Sequence, residues 1–394
     1  ALAAQQPVQG VRGTAFPSDG AVRRIPRSAL TREELRDATY CTPYEDMPYE
    51  RYWRRLERSY RVRELPVKAH REARLAEIRS VRLNTLNYCP MGCTFCSSTN
   101  FLHEAQGGDT AKVARLTADE CLVMMKRIVA AHPDVRTIIF QDDIFVFTSD
   151  SRILPLCEAI TAAKRAGDLP EDLQFISTNR IDSMSRERLA AMRAAGFRVL
   201  GFGIESFALG ILREFNKARI HPHIETNLRL ALEAGVTPFL DMILTSPRCH
   251  LSDLAENVRS AYQWVQAGCE VGMYPYVIPF SGAAMARDPE LAPHTVHATQ
   301  EIEGTGLSWR QPAKILPIDA AVRDAILAIE GGFETWIKRL SESVSHLPSR
   351  VRSLLWVFCA DRVLERAGEP MPDRRDVADA LRARLPGLAP ETLA

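Results

Sequence analysis

The sequence lacks long hydrophobic runs, a charge excess and a dense set of cysteines. No apolar run in its 394 residues reaches the roughly 18 residues of a transmembrane helix. A net charge of +1 provides no electrostatic attraction to nucleic acid or to an acidic membrane. No signal peptide is visible, although the chain begins with Ala1 rather than methionine, which leaves open a natural segment before it. We therefore expect a cytoplasmic protein with neither nucleic-acid nor membrane partners.

Disulfide bonds are not expected, because the nine cysteines are odd in number and only three of them cluster. The cluster is Cys89, Cys93 and Cys96, in C-x3-C-x2-C spacing, and no fourth cysteine follows before Cys121. A structural zinc site uses four protein ligands, and an ordinary electron-transfer cluster uses four thiolates. Three thiolates on a 4Fe–4S cluster leave one iron open to a ligand from outside the protein. The spacing therefore indicates a place for chemistry.

Apolar strands alternate with amphipathic helices from about residue 76 to 285. The predicted strands are 81–88, 137–140, 173–178, 199–204, 237–244 and 270–278. The predicted helices are 121–131, 152–166, 186–195, 207–215, 222–234 and 252–267. Thr117 with Glu120 has the form of a capping box, and Ser185, Pro222 and Ser252 mark other helix starts. Six strand–helix units predict an α/β fold, a partial (β/α)6 TIM-like barrel, with its chemistry at the carboxyl ends of the strands.

The two flanks of this barrel have a different character. Residues 1–75 predict an irregular N-terminal linker that wraps the main domain, with a turn at 16–20 and short helices at 32–39 and 49–60. Residues 286–394 predict a C-terminal helical cap. It begins with a proline-interrupted connector and continues with helices near 320–329, 333–341, 348–367 and 375–384. We therefore expect three parts, 1–75, 76–285 and 286–394.

The cysteine motif after a first strand, within a run of strand–helix units, resembles the radical S-adenosylmethionine (SAM) enzymes over roughly residues 76–285. The resemblance implies that Cys89, Cys93 and Cys96 hold a 4Fe–4S cluster whose open iron is chelated by SAM. In that family an electron from the cluster cleaves SAM, and the resulting 5′-deoxyadenosyl radical abstracts hydrogen from substrate. It also implies a small-molecule substrate and an electron donor of the flavodoxin or ferredoxin type.

The resemblance further assigns SAM-binding positions by their place after the predicted strands. These positions are Phe95, Gln141, Asp142, Asp143, Asn179, Arg180, Glu205 and Ser206. Phe95 is expected beside the adenine, Arg180 on the SAM carboxylate as a bidentate fork, and Glu205 on the ribose. Residues 141–143 depart from the Gly-Gly-Glu stretch common in the family, which contacts the SAM amine.

Other features resemble a branch of the family that carries cobalamin domains. They are residues 11–14, the Asp142-Asp143-x-Phe145 sequence and the Asn216–Lys217 pair. The Asp-x-His-x-x-Gly cobalamin motif does not occur in these residues. Two alternatives stay open: an N-terminal domain is missing from this chain, or the protein works without one.

Three functions are therefore compared. The first is hydrogen abstraction from a polar small molecule, for example dehydration or deoxygenation of an aminosugar in antibiotic biosynthesis. The Ala- and Arg-rich composition is typical of a GC-rich bacterial genome and favours such a pathway only by association. The second is a cobalamin-dependent methyltransferase. The third is a non-catalytic iron–sulfur electron carrier, which the open iron and the polar strand ends oppose. The residues expected to face substrate are Asp241, Cys249, Tyr274 and Tyr276, with Cys249 as a candidate hydrogen donor.

Overall fold

A computed structural model of the chain describes residues 13–26, 29–65, 67–98, 112–341 and 347–385. The strands are β1 Ala15–Ser18, β2 Ala21–Arg24, β3 Ser80–Leu83, β4 Thr137–Phe140, β5 Gln174–Asn179, β6 Phe197–Glu205, β7 Thr237–Ile243, β8 Glu270–Tyr274, β9 Thr295–Ile302 and β10 Leu307–Ile315. Strands β3 to β8 form one six-stranded sheet in chain order, and every neighbouring pair is parallel. The predicted α/β partial barrel is confirmed.

The helices follow the strands as expected for strand–helix units. They are α1 Arg32–Tyr40, α2 Tyr49–Ser59, α3 Lys68–Ile78, α4 Ala118–Ala131, α5 Ile153–Arg165, α6 Arg186–Ala195, α7 Leu209–Glu214, α8 Ile224–Glu233, α9 Leu251–Ala267, α10 Ala320–Ser341, α11 Ser349–Arg366 and α12 Arg374–Arg384. No helix in the described part of the chain has the length and apolar character needed to cross a membrane.

Helix caps test the predicted starting points of several helices. The capping box before α4 is present, since Thr117 accepts from the Glu120 amide and the Glu120 carboxylate accepts from the Thr117 amide. Ser185 caps α6. Two predicted starts are wrong. Pro222 lies in a 3-10 turn, Ala218–His223, before α8, and α9 begins one residue before Ser252 because Asp253 accepts from the backbone N–H at position 250.

The strand register divides the sheet into two faces. One face packs against the helices in a continuous apolar core that includes Leu83, Phe140 and Leu240. The opposite, inner face carries the alternate residues. Arg82 of β3 is in register with Ile139 of β4 on this face. The inner face is therefore the concave side of the open barrel, and its side chains are less completely buried.

Both edges of the open sheet are covered by side chains from the flanks. On β3, the hydroxyl of Tyr44 donates to the Arg82 carbonyl at 2.9 Å, and the indole of Trp53 donates to the Ser80 carbonyl at 3.3 Å. On β8, Ser353 of α11 donates to the Val271 carbonyl at 2.5 Å. These bonds satisfy edge carbonyls that would otherwise be open to another strand.

Several predicted boundaries differ from the structure. The first strand ends at Leu83 instead of residue 88, α3 was not predicted, and the connector contains the antiparallel hairpin β9–β10 with a register shift at Pro312. A two-stranded hairpin tolerates proline because each strand has an open edge. Helix α10 continues through the two predicted helices because tertiary packing overrides the helix-breaking tendency of glycine. Gly332 lies against Cys359, and Phe333 stacks on Trp356.

Candidate functional site

The three motif cysteines lie on one loop, residues 89–96 (the cysteine loop), beyond the carboxyl end of β3. All three thiols are partly buried. Burial, together with the nearby Cys93, Asp143 and Cys96, raises the pKa of Cys89 to about 12. Burial is also the main cause of the raised pKa of Cys93 and of Cys96. The thiols therefore share one environment, in which added positive charge would favour the thiolate forms.

The segment after α7 fixes the cysteine loop. The Asn216 side-chain amide donates to the Gly92 carbonyl at 3.1 Å, and the Thr94 amide donates to the Phe215 carbonyl at 3.3 Å. Asn216 has φ of 58°, a left-handed conformation that asparagine adopts more readily than most residues. The Phe95 ring lies 4.8 Å from that of Phe215. The loop is therefore held by hydrogen bonds and by aromatic packing.

Asp142 and Asp143 have different environments although they are adjacent in sequence. The buried Asp142 carboxylate accepts from the backbone N–H groups of Thr85 and Leu86 at 2.6 and 2.8 Å, and from the Thr85 hydroxyl at 2.5 Å. These donors engage both oxygens of Asp142, and its predicted contact with SAM stays a prediction. Asp143 is exposed and accepts from the Ser98 hydroxyl, close to the cysteine loop.

The residues predicted after β4 and β5 also differ in their surroundings. Gln141 is exposed and accepts from Arg82 at 2.6 Å. Arg180 forms a bidentate pair with Asp182 at 2.8 and 2.6 Å, while its Nη1 lies 3.0 Å from the Met91 sulfur. Arg180 therefore lies beside the cysteine loop with one donor nitrogen directed toward it.

Asn179 and Ser206 are buried instead of facing an open cavity. Asn179 bonds back to Ser177 of its own strand at 3.0 Å. The Ser206 hydroxyl donates to Asn257 of α9 at 2.8 Å, which fixes the turn after β6. The polar groups of both residues thus have partners within the fold, and their predicted SAM-binding role stays a prediction.

Glu205 is paired with Lys217. The Lys217 Nζ lies 2.8 Å from Glu205 Oε1 and also donates to the Gly203 carbonyl. Glu205 has φ of 63°, and the register of β6 against β7 shifts between Gly203 and Glu205. The Lys217 side chain is only 10% exposed and lies beside the carboxylate. Both residues influence the pKa of Cys93, so the ion pair lies near the cysteine loop.

The four residues expected to face substrate occupy different places. Asp241 and Tyr274 are on the inner face. The Tyr276 hydroxyl is buried and donates to Glu330 of α10 at 2.8 Å. Cys249 is 3% exposed and belongs to a small apolar cluster, where burial raises its pKa to about 12. The structure thus brings together only the first two of the four.

A cleft of about 840 Å³ opens beside the cysteine loop, with Pro90 and Met91 in its wall. Its charged lining residues are Arg180, Asp182, Arg213, Lys217 and Arg219. Cations outnumber carboxylates in this lining, so the cleft favours anionic groups such as a carboxylate.

The three thiols of the cysteine loop supply one ligand for each of three irons of a 4Fe–4S cluster. Within the described ranges, no set of three or more His, Cys, Asp or Glu side chains is arranged to hold one metal ion. A single zinc ion would draw its sulfurs to about 2.3 Å from the metal. A 4Fe–4S cluster binds each cysteine at a different iron, so its thiolates lie farther apart. Three partly buried thiols on one loop are a donor set for that cluster.

The family model that the sequence matches is consistent with a 4Fe–4S cluster on these three thiols. Residues 83–260 match the sequence model of the radical SAM superfamily. The matched segment, less than half of the chain, is therefore similar to the radical SAM superfamily. That family implies a 4Fe–4S cluster and SAM as cofactors, and its enzymes bind small-molecule substrates and need a reductant. No curated protein sequence matches the chain.

Solved structures extend the likeness beyond the matched region. The cobalamin-dependent S-adenosylmethionine radical enzyme OxsB with aqua-cobalamin bound has a TM-score of 0.58 at 14% identity, over 97% of this chain and 57% of OxsB. The methyltransferase TsrM from Kitasatospora setae, with cobalamin and a 4Fe–4S cluster bound, has a TM-score of 0.46 at 13% identity, over 76% of this chain and 61% of TsrM. The chain therefore spans less than two thirds of either protein, and the likeness to OxsB shows the radical SAM fold.

Sequence reasoning missed several residues that shape this site. They are Arg82, Thr85, Asp182, Phe215 and Asn257. Only Arg82 had a signal in the sequence, because it is a charged residue between two apolar residues of a predicted strand. Both of those neighbours, Val81 and Leu83, are fully buried. The others act through contacts between segments far apart in the chain or through a local pair, and neither leaves a periodic pattern.

Proposed function

We propose that this chain produces a 5′-deoxyadenosyl radical from SAM and uses it to abstract hydrogen from a polar small molecule on the inner face of the sheet. The observation that carries the proposal is the cysteine loop, with three partly buried thiols and an adjoining cationic cleft at the carboxyl edge of the sheet. When bound, the cluster supplies the electron that cleaves SAM.

The residues of this chain would orient SAM beside the cysteine loop. Cys89, Cys93 and Cys96 would hold the cluster. Arg180, already positioned by Asp182, would direct Nη1 to the SAM carboxylate. The exposed carboxylate of residue 143 would accept from the SAM amine, replacing the glutamate of the family pattern.

Glu205 and Phe95 would bind the nucleoside part of SAM. Glu205 would accept from the ribose hydroxyls while Lys217 keeps its carboxylate in place. Phe95 would contact the adenine, supported from behind by Phe215.

The reaction that we propose is a dehydration or deoxygenation, a lyase-type outcome, on an aminosugar or a related antibiotic-pathway intermediate. Asp241 and Tyr274 would contact substrate, because both lie on the inner face. Cys249 and Tyr276 would need a rearrangement to do so, since both are buried. A flavodoxin- or ferredoxin-like protein would supply the electron.

A second candidate function is a cobalamin-dependent radical SAM methyltransferase. The observation that favours it is the likeness to OxsB, a cobalamin-dependent enzyme, over 97% of this chain at a TM-score of 0.58. Methylated product, formed only when cobalamin is supplied, would select this candidate.

Anaerobic reconstitution of the purified chain tests the main proposal. We expect about four irons and four sulfides per chain, lost in Cys89→Ala, Cys93→Ala and Cys96→Ala. With dithionite and SAM, the reconstituted protein should release 5′-deoxyadenosine. Cys359→Ala is the matched control, because Cys359 lies on α11 away from the loop. Zinc alone in the purified protein, or no 5′-deoxyadenosine from the reconstituted chain, would reject the proposal.

A further inference from the structure

One carboxylate on the inner face has no partner among the described residues. Asp241 projects from near the middle of β7, accepts no hydrogen bond there and pairs with no cation. The charged groups that act on it are Glu205 and Lys217. Lys217 is already bonded to Glu205 at 2.8 Å and to the Gly203 carbonyl. Because that ion pair is neutral overall, the charge of Asp241 is left uncompensated.

Two glycines flank this carboxylate on the neighbouring strands. The register places Gly203 of β6 and Gly272 of β8 on either side of Asp241. A Cβ atom added at Gly272 would lie 3.3 Å from the Phe239 ring and 3.5 Å from Asp241 Oδ1, and one added at Gly203 would lie 2.7 Å from Glu205 Oε1. A TIM barrel normally fills this side of its sheet with bulky aliphatic residues. The two glycines place no such residue beside Asp241, so its partly buried carboxylate stays open to a ligand.

Tyr274 borders the same space. It is the next inner-face residue of β8 after Gly272, and the residue is 52% exposed. Burial and then Asp241 raise its pKa, so the phenol stays protonated and available as a hydrogen-bond donor. The inner face thus presents a carboxylate and a phenol on two adjacent strands.

Electrostatics decide which ligand charge suits the position beside Asp241. Burial, and then the negative charge of Glu205, raise the pKa of Asp241 to about 6, although Lys217 acts to lower it. A ligand cation would oppose both effects by stabilising the ionised carboxylate. An anionic ligand would be repelled by the carboxylates of Asp241 and Glu205. The one nearby ammonium group, that of Lys217, is already bonded to Glu205.

We propose that Asp241 binds a protonated amine of the substrate, with Tyr274 at the edge of the same pocket. The substrate class is therefore a small-molecule amine. This assignment rests on the proposed function, which makes the inner face the substrate site.

Binding of matched ligand pairs to the reconstituted, SAM-loaded protein tests the assignment. Glucosamine and 2-deoxystreptamine are the amine probes, and glucose and myo-inositol are their neutral partners, measured by saturation-transfer NMR. We expect both amines to bind the wild type about tenfold more tightly than the neutral partners, and Asp241→Asn to remove that preference.

Glu270→Gln is the matched control. Glu270 is also on the inner face of β8, but its carboxylate accepts from Ser349 at 3.0 Å, so the variant should keep the preference for amines. Near-UV circular dichroism checks that both variants are folded.

Three outcomes would overturn the amine assignment. They are equal binding of amine and neutral partner, no binding of either amine, and an unchanged preference in Asp241→Asn. The proposed function is judged separately by release of 5′-deoxyadenosine from the wild type. A protein that cleaves SAM but shows no amine preference would refute the amine assignment alone.

Discussion

Lys217 Nζ lies 2.8 Å from Glu205 Oε1, and this ion pair connects the end of β6 to the turn that holds the cysteine loop. The two side chains are only 10% and 12% exposed. Breaking a buried ion pair by removing one partner is strongly destabilising, because the other charge is left without compensation. The pair therefore contributes to the fold as well as to the candidate SAM site.

Lys217→Met should lower the free energy of unfolding by about 3 kcal/mol or more, because it leaves Glu205 buried without a partner. The double variant Lys217→Met with Glu205→Gln should recover part of that loss, since no charge remains unpaired. Urea denaturation of the four proteins of this cycle measures the coupling. Strictly additive losses would contradict a coupled pair.

Asp142→Ala should destabilise the protein by about 2–3 kcal/mol, because it removes a charged acceptor from two buried backbone N–H groups. The segment before the cysteine loop would lose its anchor, so iron retention after reconstitution should also fall. Asp143→Ala is the comparison for stability, since Asp143 is exposed and its loss should change the free energy of unfolding by less than about 0.5 kcal/mol. Similar losses of unfolding free energy in both variants would refute the role of Asp142 as the anchor of residues 85 and 86.

Two substitutions at Asn216 distinguish the contribution of its left-handed backbone from that of its side-chain hydrogen bond. Asn216→Gly keeps the conformation but removes the bond to Gly92, while Asn216→Ala also adds backbone strain. We expect the alanine variant to be less stable than the glycine variant by about 1 kcal/mol. Both should retain iron less well, as measured by the rate of iron loss to a chelator. Equal stability of the two variants would argue against strain at this position.

Asp241→Asn should stabilise the protein at neutral pH. The pKa of Asp241 is raised in the folded state to about 6, so the folded protein holds its proton more tightly than the unfolded chain. Wild-type stability should therefore fall as pH rises from about 4 to 6, and the asparagine variant should lack that loss.

The stability gain of the variant should reach about 2 kcal/mol at pH 7.5 and be smaller at pH 5. Unfolding curves at the two pH values measure the difference between variant and wild type, which removes the titration of groups that both proteins share. A stability gain that is the same at both pH values would refute the inference that the Asp241 carboxylate is uncompensated.

The sequence alone predicted the parallel sheet because the strand and helix signals are local. The strand at 137–140 and the helix at 186–195 agree with the structure residue for residue. The capping box at Thr117 is equally local, since its partners are three residues apart. The cysteine spacing is local too, which is why the candidate cluster ligands could be named before any fold was known.

The roles of single polar residues depended on tertiary structure. Asp142 and Asp143 have the same chemistry and adjacent positions, yet one binds backbone groups of residues 85 and 86 while the other is exposed. Asn179 and Thr178 are also adjacent, and strand alternation turns one toward the helices and the other toward the inner face. Placement after a strand therefore selects a region of the molecule, but not the side of the sheet that a residue faces.

The amino-acid order by itself determined the α/β class, the six-strand succession and the three candidate thiolate ligands, because these depend on periodicity and spacing within short segments. Only the tertiary structure decided that Lys217 pairs with Glu205, that Cys249 is packed among apolar side chains, and that Asp241 is left uncompensated. Each of these depends on which distant segments meet and on whether water or protein surrounds the group. The free energy of a charge is determined by those surroundings and not by its neighbours in sequence.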